Sequence, residues 1–436
     1  MRINKLVIEN FKGFKGRHEI NFLSDKKNVI IGTNGAGKTS ILDSLAILMQ
    51  TIASQLKSFP TSKRIAFSNR EIFVEATNTI IEGQFSRKKN NNIKGTFFAK
   101  QKLNNHPVYN SQKGLELIDS IKKNIGDISN GIIPFLAYYQ TERKLEGEGL
   151  DSYTVKLRIE NNRNQVYSYQ SFDTIVDYNS MLNWYLQQIN IQNNEKVKKK
   201  DLSYELPAIT SFSTSINKFI NALEDSKLSS LSLDVSKYGS YQTIILDKGD
   251  VKLEFPQLSA GEKMLIGLVL DMAYKMSIAN PKMDNPLLTD GIVLIDEIEL
   301  HLHPKWQMTV LDALSTVFPN IQFIVSTHSP LVINHVLNEQ LIVLNDSNIL
   351  QGSAIHNTYG QDVNSIVEDL MGGLDRPREI KSRIEEIDNI LAEEEIDTRL
   401  ARKKLEELRR TIDPNDYDIV RLETLITIEE DEDEMD

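Results

Sequence analysis

A glycine-rich loop near the start of the chain has the residue types and spacing of a phosphate-binding loop, Gly32-Thr33-Asn34-Gly35-Ala36-Gly37-Lys38-Thr39. The apolar run 28–31 precedes it and a helical pattern follows it. The glycines let successive backbone N–H groups curve around a phosphate chain, and the helix start adds a positive dipole end. Lys38 can reach the β- and γ-phosphates, and the Thr39 hydroxyl can bind Mg²⁺. The predicted nucleotide contacts in this loop are Asn34, Gly35, Ala36, Gly37, Lys38, Thr39 and Ser40.

Two carboxylates follow a second apolar run, Gly291–Ile295, which reads as a buried strand. Because the carboxyl ends of parallel strands meet at one edge of a sheet, Asp296 and Glu297 are expected beside the ligand of the loop. Asp296 can hold Mg²⁺ directly or through water, and Glu297 can orient the attacking water. A strand that ends in acidic residues by chance is common, but its pairing with a complete phosphate loop argues against chance.

Two further motifs lie on either side of that strand. Ser259-Ala260-Gly261-Glu262-Lys263 comes just before a predicted helix, and therefore presents a hydroxyl and backbone N–H groups at a second anion-binding helix start. Serine and glycine are frequent in helix caps, so this motif is informative only through its position. Ser326-Thr327-His328 follows the next strand, which predicts His328 at the same sheet edge as Glu297.

The composition limits the class of protein. The 436 residues suffice for two or three units, and 40% hydrophobic with 25% charged residues is typical of a globular protein. The sequence shows neither a run of about 20 apolar residues nor a signal-peptide core, which predicts a cytoplasmic protein without a membrane partner. The absence of cysteine excludes disulfides and thiol catalysis. Seven acidic residues in 429–436 supply most of the formal charge of −11, so a local DNA-binding face is neither required nor excluded.

Strands that alternate with helices predict an α/β fold with a three-layer core. The polar, asparagine-rich stretch from about 150 to 241 reads as an inserted lobe with two candidate helices, 175–189 and 206–223. Beyond Gly373, apolar residues recur at helical spacing and predict a helical hairpin. This hairpin is either purely structural or an appendage on which a partner docks, and the sequence favours neither.

In their order along the chain, these motifs resemble those of the ATP-binding cassette (ABC) ATPases, and within them the RecF/SMC/Rad50-like branch. The resemblance includes 8–14 before the loop and Gln140 at the end of a strand. Residues 259–263 match the signature motif, Asp296-Glu297 the Walker B motif, 299–304 the D-loop and His328 the switch histidine. The family then implies ATP and Mg²⁺ as cofactors, with two subunits enclosing two ATP molecules and each Ser259 facing the other subunit's γ-phosphate.

The resemblance also implies roles for individual residues and a division into domains. The implied catalytic residues are Glu297, Lys38 and His328; the further nucleotide contacts are Lys12, Ser259, Gly261 and Glu262; the Mg²⁺ ligands are Thr39, Asp296 and Gln140. An ABC-type P-loop NTPase head with a mixed sheet would consist of 1–145 and 241–372, separated by the inserted, mainly helical lobe at 146–240. A helical hairpin at 373–428 and an acidic, disordered tail at 429–436 would follow.

A narrower resemblance rests on five stretches: 278–281, 285–287, 291–297, 301–307 and 359–372, the last of which runs into Arg376-Pro377. They are similar to a bacterial family of predicted ATP-binding proteins once linked to virulence, which includes the PtuA ATPases of Septu and retron-associated anti-phage systems. The family varies at the position of Gln140. Its PtuA members work with PtuB, an HNH-type nuclease. The resemblance therefore implies an ATPase that forms a homodimer or higher homo-oligomer and controls an HNH nuclease, with DNA or retron nucleic acid as a further partner.

Two other functional classes are alternatives to this one. A DNA-repair or recombination ATPase of the RecF/Rad50 type would grip DNA directly, and Lys88, Lys89 and the run 196–200 would be its candidate contacts, although short lysine runs are usually solvated. The N-terminal and Walker B-adjacent patterns disfavour the nucleotide subunit of a membrane pump.

Two groups of possible metal ligands are also disfavoured. His301 and His303 beside Glu299 lack a third ligand at a usable spacing. The nuclease-like carboxylates Asp362, Glu368 and Asp369 fall on a helical pattern, and we interpret them as surface and capping residues.

Overall fold

The phosphate-loop strand lies inside a six-stranded sheet of a computed structural model, with the strand order β16-β15-β3-β14-β13-β7. All neighbours are parallel except β16, which runs antiparallel to β15. Strands β3, β7, β13 and β14 are buried along their whole length, as expected for apolar runs covered on both faces. The strands are β3 (Asn28–Gly32), β7 (Phe135–Tyr139), β13 (Gly291–Ile295), β14 (Ile321–Ser326), β15 (Leu341–Asn345) and β16 (Asn348–Gln351).

The structure describes residues 1–23, 27–89, 91–110, 114–126, 132–146, 172, 175–223, 227–235, 242–345, 348–355, 358–373, 376–392 and 396–433, leaving out 57–66 within the second range. The side chains of 88–92 lie outside this description as well. The chain forms two compact units, Met1–Val363 and Asn364–Asp436, and each is described by itself.

A second, antiparallel sheet has the order β2-β1-β4-β5-β6. Its strands are β1 (Arg2–Phe11), β2 (Phe14–Asn21), β4 (Asn78–Lys89), β5 (Asn91–Lys102) and β6 (Val108–Asn110). Helix α1 (Lys38–Leu56) starts from the phosphate loop and packs against strands of both sheets. One hydrophobic core joins side chains of the two sheets and of α1, for example Ile81, Leu45 and Ile324. The predicted α/β class with a mixed sheet is confirmed.

The remaining helices of this unit are α2 (Leu115–Gly126), α3 (Tyr178–Lys199), α4 (Pro207–Ala222), α5 (Ala260–Ala279), α6 (Pro304–Val317) and α7 (Pro330–Ile333). Two small sheets complete it, one of β8 (Lys144–Glu146) and β9 (Ile175–Asp177), the other of β10 (Leu228–Val235), β11 (Gln242–Lys248) and β12 (Val251–Glu254). Helices α3 and α4 belong to the stretch predicted as an inserted lobe, and α4 packs on α5 and α6. No helix in the described ranges is long and apolar enough to cross a bilayer.

The C-terminal unit contains three long helices where the sequence predicts a hairpin. After α8 (Val363–Asp369) come α9 (Arg378–Leu391), α10 (Thr398–Arg409) and α11 (Tyr417–Asp433). Their apolar core includes Ile387, Leu405 and Leu422. The expectation of a disordered tail at 429–436 is wrong as far as Asp433, because Ile419, Leu422 and Ile426 give α11 a buried face and Arg402 pairs with Glu430. Residues 434–436 lie outside the described residues.

Candidate functional site

At two glycines of the phosphate loop, a positive φ is combined with a neighbour that leaves no room for a Cβ atom. At Gly32, φ is +152° and a Cβ atom would lie 2.5 Å from the backbone oxygen of Leu344. At Gly37, φ is +101° and a Cβ atom would lie 2.6 Å from Cε2 of Phe14, a side chain of β2. The loop therefore closes tightly against strands of the two sheets.

Lys38 is buried at the first position of α1. Its Nζ donates hydrogen bonds to the backbone oxygens of Gly32, at 2.9 Å, and Thr33, at 3.0 Å. Burial lowers the pKa of the ammonium, while the carboxylates of the Walker B region, Asp296 above all, raise it. The loop therefore holds the ammonium group of Lys38 where the anionic oxygens of a bound triphosphate would lie.

Asp296 is the meeting point of three hydroxyl groups. Its Oδ2 accepts hydrogen bonds from Thr39 and from Thr141, each at 2.9 Å. Its Oδ1 accepts one from Ser326 at the end of β14. The carboxylate is only 2% exposed, so these donors replace the water it lacks. Strands β3, β7, β13 and β14 therefore contribute to one cluster at their carboxyl ends, as the sequence predicts for Thr39 and Asp296.

Glu297 has a left-handed backbone conformation, with φ at +47°. A conformation of this kind costs on the order of 1–3 kcal/mol in a residue other than glycine and persists only where neighbours hold it. Arg143 donates to the backbone oxygens of Asp296, at 2.7 Å, and Glu297, at 3.1 Å, and the Glu297 N–H donates to Ser326 Oγ at 2.8 Å. These bonds fix the direction in which the half-buried Glu297 side chain leaves the sheet.

His328 lies beside Lys38, with 3.5 Å between its Nδ1 and Lys38 Nζ. Its backbone N–H donates to Oε1 of Glu299 at 2.5 Å. Burial lowers the pKa of His328, and the positive charge of Lys38 lowers it further, so the imidazole is neutral at pH 7. The predicted neighbourhood of loop, Walker B strand and histidine is therefore present in the described residues.

A cavity of about 410 Å³ adjoins this cluster. Its oxygen donors include Thr39, Asp296 and Gln140, the three predicted Mg²⁺ ligands. A hydroxyl, a carboxylate and a side-chain amide oxygen are hard donors of the kind that Mg²⁺ prefers, so these residues fit that ion. Lys12, a predicted nucleotide contact, also lines the cavity, and its Nζ lies 2.5 Å from Asp43. Asp43 in turn accepts a hydrogen bond from the Tyr138 hydroxyl at 3.0 Å.

The signature turn lies at a different cavity, of about 880 Å³. Ser259 caps α5, and both its N–H, at 2.9 Å, and its hydroxyl, at 2.8 Å, donate to Oε2 of Glu262. Gly261 packs against the D-loop so closely that a Cβ atom would overlap the backbone oxygen of His301. The cavity is lined by Lys227, Lys248, Ser259, Gly261, Glu262, His301, Leu302, His303, Lys305 and Trp306. The predicted site residues therefore line two cavities: Ser259, Gly261 and Glu262 line this one, and Lys12, Thr39, Gln140 and Asp296 line the smaller one.

The other candidate groups have structural partners. His303 caps α6 and accepts from the backbone N–H of Lys305, and the described residues contain no group of three or more His, Asp or Glu residues placed to hold a metal. Lys198 and Lys199 both pair with Glu195. Among the three nuclease-like carboxylates, Glu368 pairs with Lys381 and the other two are exposed.

Several residues of the cluster were missed by the sequence analysis. Thr141 and Arg143 directly follow Gln140, and their position at the end of β7 was the available signal. Ser326 opens the motif that supplies His328. Lys248 had no sequence signal, because only the tertiary fold brings the end of β11 to Glu262.

Residues 2–349 match the model of the "RecF/RecN/SMC N terminal domain" family. The chain belongs to this family. Because that domain is a P-loop ATPase domain, the chain is an ATPase of the RecF/SMC type. The predicted resemblance to this branch is thereby confirmed.

Curated relatives carry retron and Septu names, as the narrower resemblance predicted. The chain is 28% identical to the Retron Vc95 probable ATPase of Vibrio cholerae serotype O1 biovar El Tor, over 94% of this chain and 87% of that protein. It is 28% identical to the Retron Ec83 probable ATPase of Escherichia coli, over 97% and 86%. Identity with the Septu protein PtuA of Bacillus mycoides is 24%, over 78% of this chain and 40% of that protein.

Similar solved structures include the SMC head domain from Thermotoga maritima, at 18% identity, a TM-score of 0.42, and coverage of 81% of this chain and 100% of that one. The recombination mediator protein RecF is similar at 14% identity and a TM-score of 0.39, over 80% and 97% of the two chains.

Proposed function

We propose that the chain hydrolyses ATP with Mg²⁺, dimerises around two ATP molecules, and controls a partner nuclease of the HNH type in bacterial anti-phage defence. The observation that carries the ATPase part is the cluster at Asp296, where the phosphate-loop helix, strand β7 and strand β14 each place a hydroxyl on one buried carboxylate. A carboxylate of this kind, next to a loop that holds Lys38, is the arrangement needed for a metal-bound triphosphate.

In this proposal the loop N–H groups and Lys38 bind the phosphates, and Thr39 and Asp296 hold Mg²⁺, with Gln140 at the same cavity. Mg²⁺, when bound, supplies charge neutralisation at the β- and γ-phosphate oxygens. Glu297 orients the attacking water and accepts a proton from it. Hydrogen bonds with Arg143 and Ser326 hold the backbone of Glu297 in place for this role. His328, beside Lys38, donates a hydrogen bond from its imidazole N–H to the γ-phosphate.

The separation of the site into two groups supports the proposed dimer. Ser259 presents its hydroxyl at the start of α5, in a cavity that contains neither Lys38 nor Asp296. A helix start with an exposed serine suits a phosphate group, and the described residues that line its cavity include none from the phosphate loop. In a dimer of two facing copies, Ser259 of each copy would complete the site at the phosphate loop of the other, as the ABC resemblance implies.

The partner nuclease rests on the relatives, which are named as retron ATPases and as Septu PtuA. The resemblance of the chain to PtuA, whose family members work with an HNH-type nuclease, supports a nuclease that an ATP-linked change of this chain would switch on or off. Localisation in the cytoplasm is part of the same proposal.

The decisive experiment compares wild type with Glu297→Gln. The variant should bind ATP, lose hydrolysis by about 100-fold or more, and accumulate as an ATP-dependent dimer in light scattering. Lys38→Ala should lose ATP binding itself. Glu75→Gln, at an exposed carboxylate paired with Lys15, is the matched control and should behave as wild type. Normal hydrolysis by Glu297→Gln would show that another group is the base.

The nuclease part has a separate test. An HNH nuclease encoded beside the gene should co-purify with the chain, and its DNA cleavage should differ between complexes with wild type and with Glu297→Gln. If the nuclease does not bind, and the chain alone binds duplex DNA with the salt dependence of phosphate contacts, the RecF/Rad50-like function is the correct one.

A further inference from the structure

The cavity at the signature turn is positively charged in spite of a carboxylate in its wall. Among its described lining residues are three lysines, Lys227, Lys248 and Lys305, against the single acid Glu262. The lysines come from three separate parts of the fold: the start of β10, the end of β11 and the first turn of α6. The backbone oxygen of Lys227 accepts from Gly249 N at 2.9 Å, which joins the first two parts.

Glu262 is fully engaged by its neighbours. Its Oε2 accepts from the Ser259 N–H and hydroxyl, and its Oε1 lies 2.7 Å from Nζ of Lys248. The residue is 6% exposed. Burial alone would raise the pKa of Glu262, but its bonds with Lys248 and Ser259 outweigh this effect and leave the pKa lowered. The carboxylate therefore remains charged at neutral pH and depends on Lys248 for a counter-charge.

Such a carboxylate is a disadvantage at a phosphate-binding helix start. The motif places Glu262 three residues after Ser259, so a phosphate that meets the serine hydroxyl also meets a negative charge within a few ångströms. Like charges at that distance repel strongly in a partly desolvated site. A lysine that pairs with the carboxylate offsets this repulsion.

We propose that Lys248 is a positioning residue for ATP held by a second copy: it neutralises Glu262, so that the cavity lined by Lys227 and Lys305 accepts the triphosphate against Ser259. This inference rests on the proposed ATP-linked dimer. Lys248 lies at the end of β11, outside every predicted motif, and it acts through Glu262 rather than on the nucleotide.

The experiment is a double-mutant cycle in the Glu297→Gln background, with ATP-dependent dimerisation as the readout. Lys248→Met should weaken the dimer by about tenfold or more, because an uncompensated carboxylate then faces the phosphates. ATP binding to the phosphate loop of the single copy should stay within about twofold. Lys248→Arg keeps the charge and should restore most of the dimerisation.

The effect should vanish when the carboxylate is absent. Lys248→Met should change dimerisation by less than about twofold when it is added to Glu262→Gln, since glutamine preserves the cap but carries no charge. Equal losses from Lys248→Met with and without Glu262 would overturn the proposal and assign Lys248 a merely structural or direct role. If the Glu297→Gln chain binds ATP but forms no dimer, the proposed dimer is wrong and the inference falls with it; a normal dimer that ignores Lys248→Met overturns the inference alone.

Discussion

The hydroxyl of Thr39 donates a hydrogen bond to Oδ2 of Asp296 at 2.9 Å, across a separation of 257 positions in the sequence. Thr39 belongs to the start of α1 and Asp296 follows β13, so this bond joins the phosphate loop to the Walker B strand. In the proposed function, both side chains would hold Mg²⁺. The same Oδ2 also accepts from Thr141, which provides a natural comparison between two threonines.

Thr39→Ala should lower Mg²⁺-dependent ATP hydrolysis by about 100-fold or more, because the variant lacks the hydroxyl that would bind the ion next to the phosphates. The loop N–H groups and Lys38 remain, so binding of ATP in the absence of Mg²⁺ should change by less than about threefold. Steady-state hydrolysis and nucleotide titration at several Mg²⁺ concentrations measure the two effects.

Thr141→Ala is the matched control, since it removes a bond of the same length to the same oxygen. Thr141 has no place in the predicted ligand set, so its loss should reduce hydrolysis by less than about tenfold. If the two variants lose hydrolysis equally, Thr39 acts only by orienting Asp296, and its assignment as an ion ligand is incorrect.

The sequence predicted the candidate site best where a functional side chain comes shortly after a recognisable strand. Lys38, Asp296 and His328 each follow a short apolar run, and such runs predict buried strands whose ends converge. By contrast, the pairing of Lys248 at the end of β11 with Glu262 in the first turn of α5 depends on the tertiary fold, which no spacing along the chain encodes. The end of helix α11 was missed because 429–436 contains seven acidic residues, whereas the helix continues to Asp433 on the buried face formed by Ile419, Leu422 and Ile426.

Gly261 should be intolerant of even one methyl group. A Cβ atom there would overlap the backbone oxygen of His301, and the backbone of a packed turn can move only slightly to make room for it. Gly261→Ala should therefore move the signature turn away from the D-loop and reduce ATP-dependent dimerisation of the Glu297→Gln chain by about tenfold. We expect a loss of about 1–3 kcal/mol in unfolding free energy, measured by urea denaturation.

Gly13→Ala is the control for the added methyl group, because no atom lies within 4 Å of the position its Cβ would occupy. This variant should keep the stability of wild type within about 0.5 kcal/mol. Full dimerisation by Gly261→Ala would mean that the contact between the signature turn and the D-loop is not needed for the second half of the site.

Lys275 and Asp271 form a buried ion pair on α5, with 2.6 Å between Nζ and Oδ2. The Tyr139 hydroxyl at the end of β7 donates to the same oxygen at 2.7 Å, so the pair ties α5 to that strand. Lys275→Met should destabilise the protein by about 3–5 kcal/mol, because it leaves Asp271 charged and buried without its cation. Thermal or urea denaturation measures this loss.

Two variants separate the charge effect from general sensitivity. Lys282→Met, at an exposed lysine just beyond α5, should change stability by less than about 0.5 kcal/mol. Replacing both members of the pair, as in Lys275→Met with Asp271→Leu, should destabilise the protein less than Lys275→Met alone. A larger loss in the double variant would indicate that the packing of Asp271, rather than its charge, dominates.

His328 should make the nucleotide-free protein less stable in mild acid. Burial and Lys38 lower its pKa in the folded protein below the ordinary value of 6.5, so below that pH the unfolded chain takes up the proton first. Stability therefore falls as the pH decreases from 6.5 through the lowered pKa, and no such term acts above 6.5. His328→Asn has no group that takes up this proton. The difference in urea midpoint, variant minus wild type, should therefore increase as the pH is lowered from 7.5 to 5, whatever its value at pH 7.5. A difference that stays constant over this range would contradict a lowered pKa and, with it, the neutral imidazole assigned to the γ-phosphate.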